Sequence, residues 1–226
     1  MNEKKIKRNV IKIGMLGDSR VGKTAICNTF MNIEFSDNAL STIGMEKLES
    51  QITLKNGEVI KLVIWDTAGQ ERFHSLALKT IRTVQGVVVV FDFTCRKSFE
   101  NITKWLIEVK ENINNACIIL FGNKCDLKED KWEVTREEAI KFAKEQNLPF
   151  FETSAKINKG IKEGFNNIAN TAYEKFEGSS GVQLKKIKMI IIVIQNAVVE
   201  VKMTKKRNKK KIKILNIHLL MPLKIS

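Results

Sequence analysis

The octet Gly17-Asp18-Ser19-Arg20-Val21-Gly22-Lys23-Thr24 constrains this chain more than any other stretch. Two glycines, a lysine and a hydroxyl residue stand at the spacing of a phosphate-binding loop between a strand and a helix. Val10 to Leu16 precedes it with the apolar content of a buried strand, and Ala25 to Met31 can continue it as a helix. Such a layout aims successive backbone N–H groups and a helix N-terminus at one point, which suits a polyphosphate. Lys23 would reach the outer phosphates, and Thr24 would place its hydroxyl on Mg²⁺. The competing reading is an ordinary glycine turn. The octet alone chooses neither the base nor the reaction.

The charge of the chain has to be located before it can be interpreted. The formal net charge is +14 over 226 residues. Residues 178–226 hold 12 Lys and Arg against a single acid, Glu200, and residues 1–9 hold four against Glu3. Residues 10–177 carry no net charge, so a basic groove across the folded body is not implied. The polar N-terminus lacks the apolar core of a secretory signal. The Met1-Asn2 start excludes myristoylation, which needs glycine second. Cys27, Cys95, Cys117 and Cys125 show no zinc-like spacing and are expected as free thiols in a reducing compartment. The body is expected to be cytosolic.

Apolar runs alternate with helical patterns, which predicts an α/β fold with a mostly parallel sheet of six strands flanked by five helices. The strands are expected at Val10–Leu16, Lys47–Leu54, Glu58–Trp65, Gly86–Phe91, Ala116–Gly122 and Phe150–Thr153. Asn56-Gly57 predicts an antiparallel hairpin between the second and third. The continuous apolar runs Val87–Phe91 and Cys117–Phe121 predict central strands covered on both faces. Helices are expected at Lys23–Met31, Ser75–Val84, Ser98–Asn112, Arg136–Gln146 and Lys162–Phe176. Thr135 and Glu138 read as a capping box. Ile102, Trp105, Leu106 and Val109 form a stripe at helical spacing, read as core packing.

Four further segments fall at the ends of predicted strands or in the loop before one. Asp66-Thr67-Ala68-Gly69-Gln70 follows the third strand. There Asp66 can hold Mg²⁺ through water, Gly69 can bring its N–H to the terminal phosphate, and Gln70 can orient an attacking water. Thr42, between the first helix and second strand, could complete the Mg²⁺ shell. Asn123-Lys124-Cys125-Asp126 follows the fifth strand. Its Asp126 could accept both N1–H and N2–H of guanine, a pair that adenine does not offer. Ser154-Ala155-Lys156 follows the sixth and could donate a backbone N–H to the guanine oxygen. Open α/β sheets bind ligands at these carboxyl ends.

With these motifs the chain resembles a Ras-superfamily small GTPase of the Rab branch over about residues 9–177. The resemblance is carried by Lys61-Leu62-Val63-Ile64-Trp65-Asp66-Thr67-Ala68-Gly69-Gln70-Glu71-Arg72-Phe73, by Gly122-Asn123-Lys124-Cys125-Asp126-Leu127 and by Glu152-Thr153-Ser154-Ala155-Lys156. It implies a small G domain of the P-loop NTPase class that binds GTP or GDP with Mg²⁺ and hydrolyses GTP in a switch regulating vesicle traffic. Asp18, Ser19, Arg20, Val21, Gly22, Lys23, Thr24 and Ala25 would wrap the phosphates. Thr24, Thr42 and Asp66 would serve the metal, and Gln70 would be catalytic. Asn123, Lys124, Asp126, Ser154, Ala155 and Lys156 would hold the base, with Phe35 edge-on to it. An exchange factor, an activating protein and effectors would be its partners, and the chain is expected to be a monomer.

Departures from the Rab pattern cluster at two places. Ile43-Gly44-Met45-Glu46-Lys47 and Thr80-Ile81-Arg82-Thr83-Val84 replace segments that carry effector-reading aromatics, of which Trp65 alone remains. Arg20 stands where glycine is common and is tolerated if its side chain points to solvent. Residues 1–8 read as a basic extension and 178–226 as a basic tail, disordered or loosely helical. The tail's apolar run Met189–Ile194 is far short of the ~20 residues that span a bilayer. It carries no cysteine for prenylation, although its Lys205–Lys213 block could touch the acidic cytosolic face of endomembranes. Its Lys, Ile and Asn content also fits translated intron or shifted frame. Two other function classes stand beside the switch: a GTP-binding module with negligible hydrolysis, and a tail-driven binder of acidic membrane or nucleic acid.

Overall fold

A computed structural model of the protein describes residues 10–36, 44–67, 82–113 and 115–178. Six strands form one sheet: β1 (Val10–Leu16), β2 (Met45–Thr53), β3 (Val59–Thr67), β4 (Gly86–Asp92), β5 (Cys117–Asn123) and β6 (Phe150–Glu152). Their order is β2-β3-β1-β4-β5-β6. Only β2 runs antiparallel, paired to β3 from Met45 opposite Thr67 to Thr53 opposite Val59. The connection turns at Asn56-Gly57 as predicted: Gly57 takes a φ of 81°, and the Asn56 side chain accepts from the Glu58 N–H at 3.0 Å. Every residue of β4 is buried, as the unbroken apolar run of a central strand requires.

The helices are α1 (Lys23–Phe30), α2 (Arg96–Glu100), α3 (Ile102–Asn112), α4 (Arg136–Glu145) and α5 (Ile161–Tyr173). Sheet and helices all lie in the first of the two units into which the chain divides, residues 1–177. One apolar layer joins Ile26 of α1 and Phe165, Ile168 and Ala172 of α5 to Ile11, Ile13, Ile64, Val88 and Phe121 of the sheet. The other joins Ile102, Trp105, Leu106 and Val109 of α3 and Ala139 and Ala143 of α4 to Val87, Val89, Phe91 and Leu120. The Ile102 stripe is therefore core, as its spacing predicts.

Three expectations change. The single helix expected over Ser98–Asn112 is two, with the chain stepping at Asn101 (φ −71°, ψ −10°) between α2 and α3. The capping box is half formed: the Thr135 hydroxyl accepts from the Glu138 N–H, but the Glu138 carboxylate accepts from Arg96 at 2.6 Å instead of turning back. The stronger charge-assisted bond prevails. The C-terminal helix expected to Phe176 ends as α-helix at Tyr173 and closes in a π-helical turn, Glu174–Gly178. Most of the helix expected at Ser75–Val84 falls outside the described residues. All four cysteines are free thiols, with Cys27 and Cys117 buried and Cys95 exposed.

The two sheet edges differ. On β2 the Glu49 carboxylate is held between Lys47 and Lys61, at 2.6 and 2.5 Å. At the opposite edge β6 is only three residues long. Among the described residues no helix is long and apolar enough to cross a membrane.

Candidate functional site

The predicted site residues that are described collect at the carboxyl ends of β1, β3, β5 and β6. The loop after β1 leaves between β3 and β4, where successive strands are laid down on opposite sides of β1. That reversal opens a crevice in sheets of this kind.

Backbone geometry builds the phosphate loop. Gly17 has a φ of 140°, and a Cβ there would stand 2.3 Å from the Val90 carbonyl oxygen. Gly22 has a φ of 97° and precedes α1 without a side-chain cap, and the first turn of α1 holds no acid. The helix N-terminus, with its partial positive charge, therefore faces the loop without a capping side chain of its own. Arg20 adopts a φ of 66°, the left-handed conformation that explains why glycine suits this position. Its side chain is exposed, as expected, and so is that of Ser19.

Lys23 lies under the loop at 5% exposure and donates to the Gly17 and Asp18 carbonyls, both at 2.8 Å. Burial pushes its pKa down to about 8, against the opposing pull of Asp66 and Asp18. A buried ammonium in this condition favours an incoming anion, which would restore its charge. Thr24 and Asp66, 42 residues apart in sequence, meet directly: the Thr24 hydroxyl donates to Asp66 Oδ2 at 2.5 Å. Asp66 is fully buried. Beside it, Thr67 donates to the Met15 carbonyl at 2.6 Å, locking β3 to β1.

Side chains brace the second half. Asn123, 2% exposed, donates from Nδ2 to the Val21 carbonyl at 2.8 Å, while its Oδ1 accepts from the Thr153 hydroxyl at 3.3 Å. Its amide thus joins three loops. A Cβ on Gly22 would lie 2.3 Å from that Nδ2, so the glycine makes room for the brace. Lys124, at a φ of 64°, pairs with the buried Asp92 at 2.5 Å. Ser154, fully buried, donates to Asp126 Oδ1 at 2.6 Å. Thr29 of α1 donates to the Ala155 carbonyl at 3.0 Å.

Between these parts lies a pocket of about 260 Å³ lined by Gly22, Ala25, Phe35, Asn123, Lys124, Asp126, Leu127, Ala155 and Lys156. All but Leu127 were expected at a site from the sequence. Lys156 Nζ stands 5.9 Å from the Phe35 ring centroid. Thr42, Gly69 and Gln70 lie outside the described residues. Trp65, the remaining aromatic of the expected effector patch, is half-buried on β3 opposite Lys47.

Sequence reasoning missed the supports. Asp18 accepts from Asn101 Nδ2 at 2.7 Å and from Trp105 Nε1 at 2.9 Å, and Asp92 anchors Lys124. Trp105 could be read from its spacing only as packing. No local pattern announces a bond between residues 87 apart.

The fold and site together define an α/β nucleotide-binding domain with a phosphate loop at the turning point of its sheet. The Ras family model matches residues 12–174. Ras-related protein Rab-13 of Canis lupus familiaris is 40% identical over 171 residues, 75% of this chain and 83% of its own length. Rab-10 of Diplobatis ommata is 42% identical over 74% of this chain and 82% of its own length. Rab-10 of Caenorhabditis elegans is 40% identical over 77% and 86%. The chain belongs to the Ras family. It is a Rab-type small GTPase, a guanine-nucleotide switch of vesicle traffic that hydrolyses GTP to GDP.

Proposed function

We propose that the pocket between the phosphate loop and the Asn123–Asp126 and Ser154–Lys156 loops holds guanine, with Lys23 and the α1 N-terminus on the polyphosphate. The observation that carries this reading is the pocket itself, which brings residues from four separate segments to one cavity. Asp126 accepts from the base while Ser154 fixes its carboxylate. Ala155 presents its N–H from a backbone clamped by Thr29. Phe35 lines the base edge, and Lys124 is set by Asp92. Asn123 acts by holding the three loops in register, its amide being spent on protein partners.

The residues also fit Mg²⁺. Among the described residues no cluster of three His, Cys, Asp or Glu could cage a metal. Thr24 and Asp66 instead offer the sparse oxygen set that suits an ion keeping waters and phosphate oxygens in its shell. Bound there, the ion would neutralise charge between the β- and γ-phosphates. Thr42 would complete its shell in the GTP state, Gly69 would touch the γ-phosphate, and Gln70 would orient the water for in-line attack. Loss of that phosphate would release both loops.

Partners of the family's kinds follow: an exchange factor, an activator that accelerates hydrolysis by ~10³–10⁵-fold, and effectors that bind the GTP state. The body is cytosolic and monomeric, and the basic tail is a separate segment that adds salt-sensitive contact with acidic membrane.

Nucleotide-stripped protein should prefer GTP over ATP in a competition titration, and preference for ATP would overturn the base assignment. Single-turnover hydrolysis should be lost in Gln70→Leu with GTP binding intact. Binding to vesicles containing an anionic lipid should fall when residues 182–226 are removed.

A further inference from the structure

Asp18 sits in the phosphate loop, but its carboxylate turns away from the pocket. Its Oδ2 accepts from Asn101 Nδ2 at 2.7 Å and its Oδ1 from Trp105 Nε1 at 2.9 Å. The same residue's carbonyl accepts from Lys23 Nζ at 2.8 Å. One residue therefore links the buried lysine on the phosphate side to a helix pair on the other. The donors come from the step between α2 and α3. Asn101 occupies the step and Trp105 lies one turn on, so both side chains share a face. Backbone bonds from Asn101 N–H to the Lys97 carbonyl and from Trp105 N–H to the Asn101 carbonyl carry the helical path through the step. Trp105 is 9% exposed among Ile102, Leu106 and Val109, which gives its indole a fixed position.

Each bond is to a carboxylate and is of the charge-assisted kind. Beyond Asp18, Ser19 and Arg20 are exposed and Arg20 is in a left-handed conformation, so this stretch has little packing of its own. A loop that must be ordered by its ligand gives up affinity for that ordering, whereas a loop ordered beforehand does not.

We propose that Asn101 and Trp105 are positioning residues that hold the phosphate loop in its binding shape through the Asp18 carboxylate, and thereby slow release of the nucleotide. The inference rests on the guanine-nucleotide reading of the site. Neither residue touches the pocket. Their effect travels through the Asp18 backbone to Lys23 and falls on dissociation, where most affinity differences between related complexes lie.

The test is the release rate of fluorescent GDP, chased with excess GDP, from the full chain and its variants. Trp105→Phe keeps the ring and removes the donor. Asn101→Ala removes the other donor at a half-buried position that does not depend on indole packing. Each should speed release by roughly tenfold, the scale of one lost bond to a charged group. Urea midpoints of the nucleotide-free protein should move little. In an Asp18→Ala background, Trp105→Phe should add nothing further, because the acceptor is gone.

If the unsubstituted chain fails to hold GDP, the nucleotide reading falls and the tether with it. If that chain holds GDP but both variants release it at its rate, the tether alone is overturned. Equal losses of stability in free and bound forms with unchanged release would show support of the fold only. So would a Trp105→Phe effect that persists in full without the Asp18 carboxylate.

Discussion

The proposed phosphate half and the proposed base half of this site are built from different materials. The phosphate loop is shaped by backbone: Gly17, Arg20 and Gly22 all lie at positive φ, and Lys23 is seated by two carbonyls. The base loops are shaped by side chains: Asn123 on Val21 and Thr153, Ser154 on Asp126, Lys124 on Asp92. A polyphosphate offers many equivalent acceptors, so amides and a helix end suffice. A purine must be told from another purine, and that needs a fixed pattern of donors and acceptors. Gly22 and Asn123 are where the two halves meet.

That junction gives the largest expected effect. Gly22→Ala would place a Cβ 2.3 Å from Asn123 Nδ2 at a φ of 97°. Left-handed strain and the loss of a buried bond should together cost about 3 kcal/mol, read as a lower urea midpoint. An unchanged midpoint would mean that the halves are not coupled there. Next comes Asp126→Ala, which should weaken GTP about 100-fold while leaving ATP binding near its former level. Isothermal titration with both nucleotides checks it, and equal weakening of the two would erase the division of labour.

Two smaller tests probe the scaffold on each side. Behind the base loops, burial pushes Glu152 upward, but its pairs with Arg136 and Lys159 outweigh that and hold it below the ordinary carboxylate range. An acid lowered on folding contributes stability above its unfolded pKa of ~4.3 and loses it as pH falls through the folded value. Glu152→Gln should therefore cost about 0.5 kcal/mol at pH 7 and progressively less below pH 4, as followed by urea unfolding at both pH values. Arg20→Gly should change stability least, within about 0.5 kcal/mol. Relief of the left-handed strain is offset by the greater freedom of glycine in the unfolded chain.

Strand positions, the hairpin and the central place of β4 and β5 were legible because alternation, Asn-Gly and unbroken apolar runs are local signals. Gly22, Lys23, Thr24, Asn123, Asp126 and Ala155 were legible as motifs for a related reason: each loop carries its own spacing. What the sequence hides is how one loop is held by another. The step at Asn101 divides a segment expected as one helix, and the bond from Trp105 to Asp18 crosses 87 residues. The Glu138 carboxylate, suited to a local cap, goes to Arg96, 42 residues away. A competition between local and distant partners is settled by tertiary geometry, which no window of neighbouring residues contains.

The two edges of the sheet also bear on how the protein coexists with its own copies. An exposed strand edge is a template for another strand. Here the edge strand β2 carries Lys47 and Glu49, the latter paired also with Lys61 of the neighbouring β3, charges that a docking strand would have to strip of water. The other, β6, is too short at three residues to hold a newcomer in register. Both features work against extension of the sheet by a strand from a neighbouring molecule.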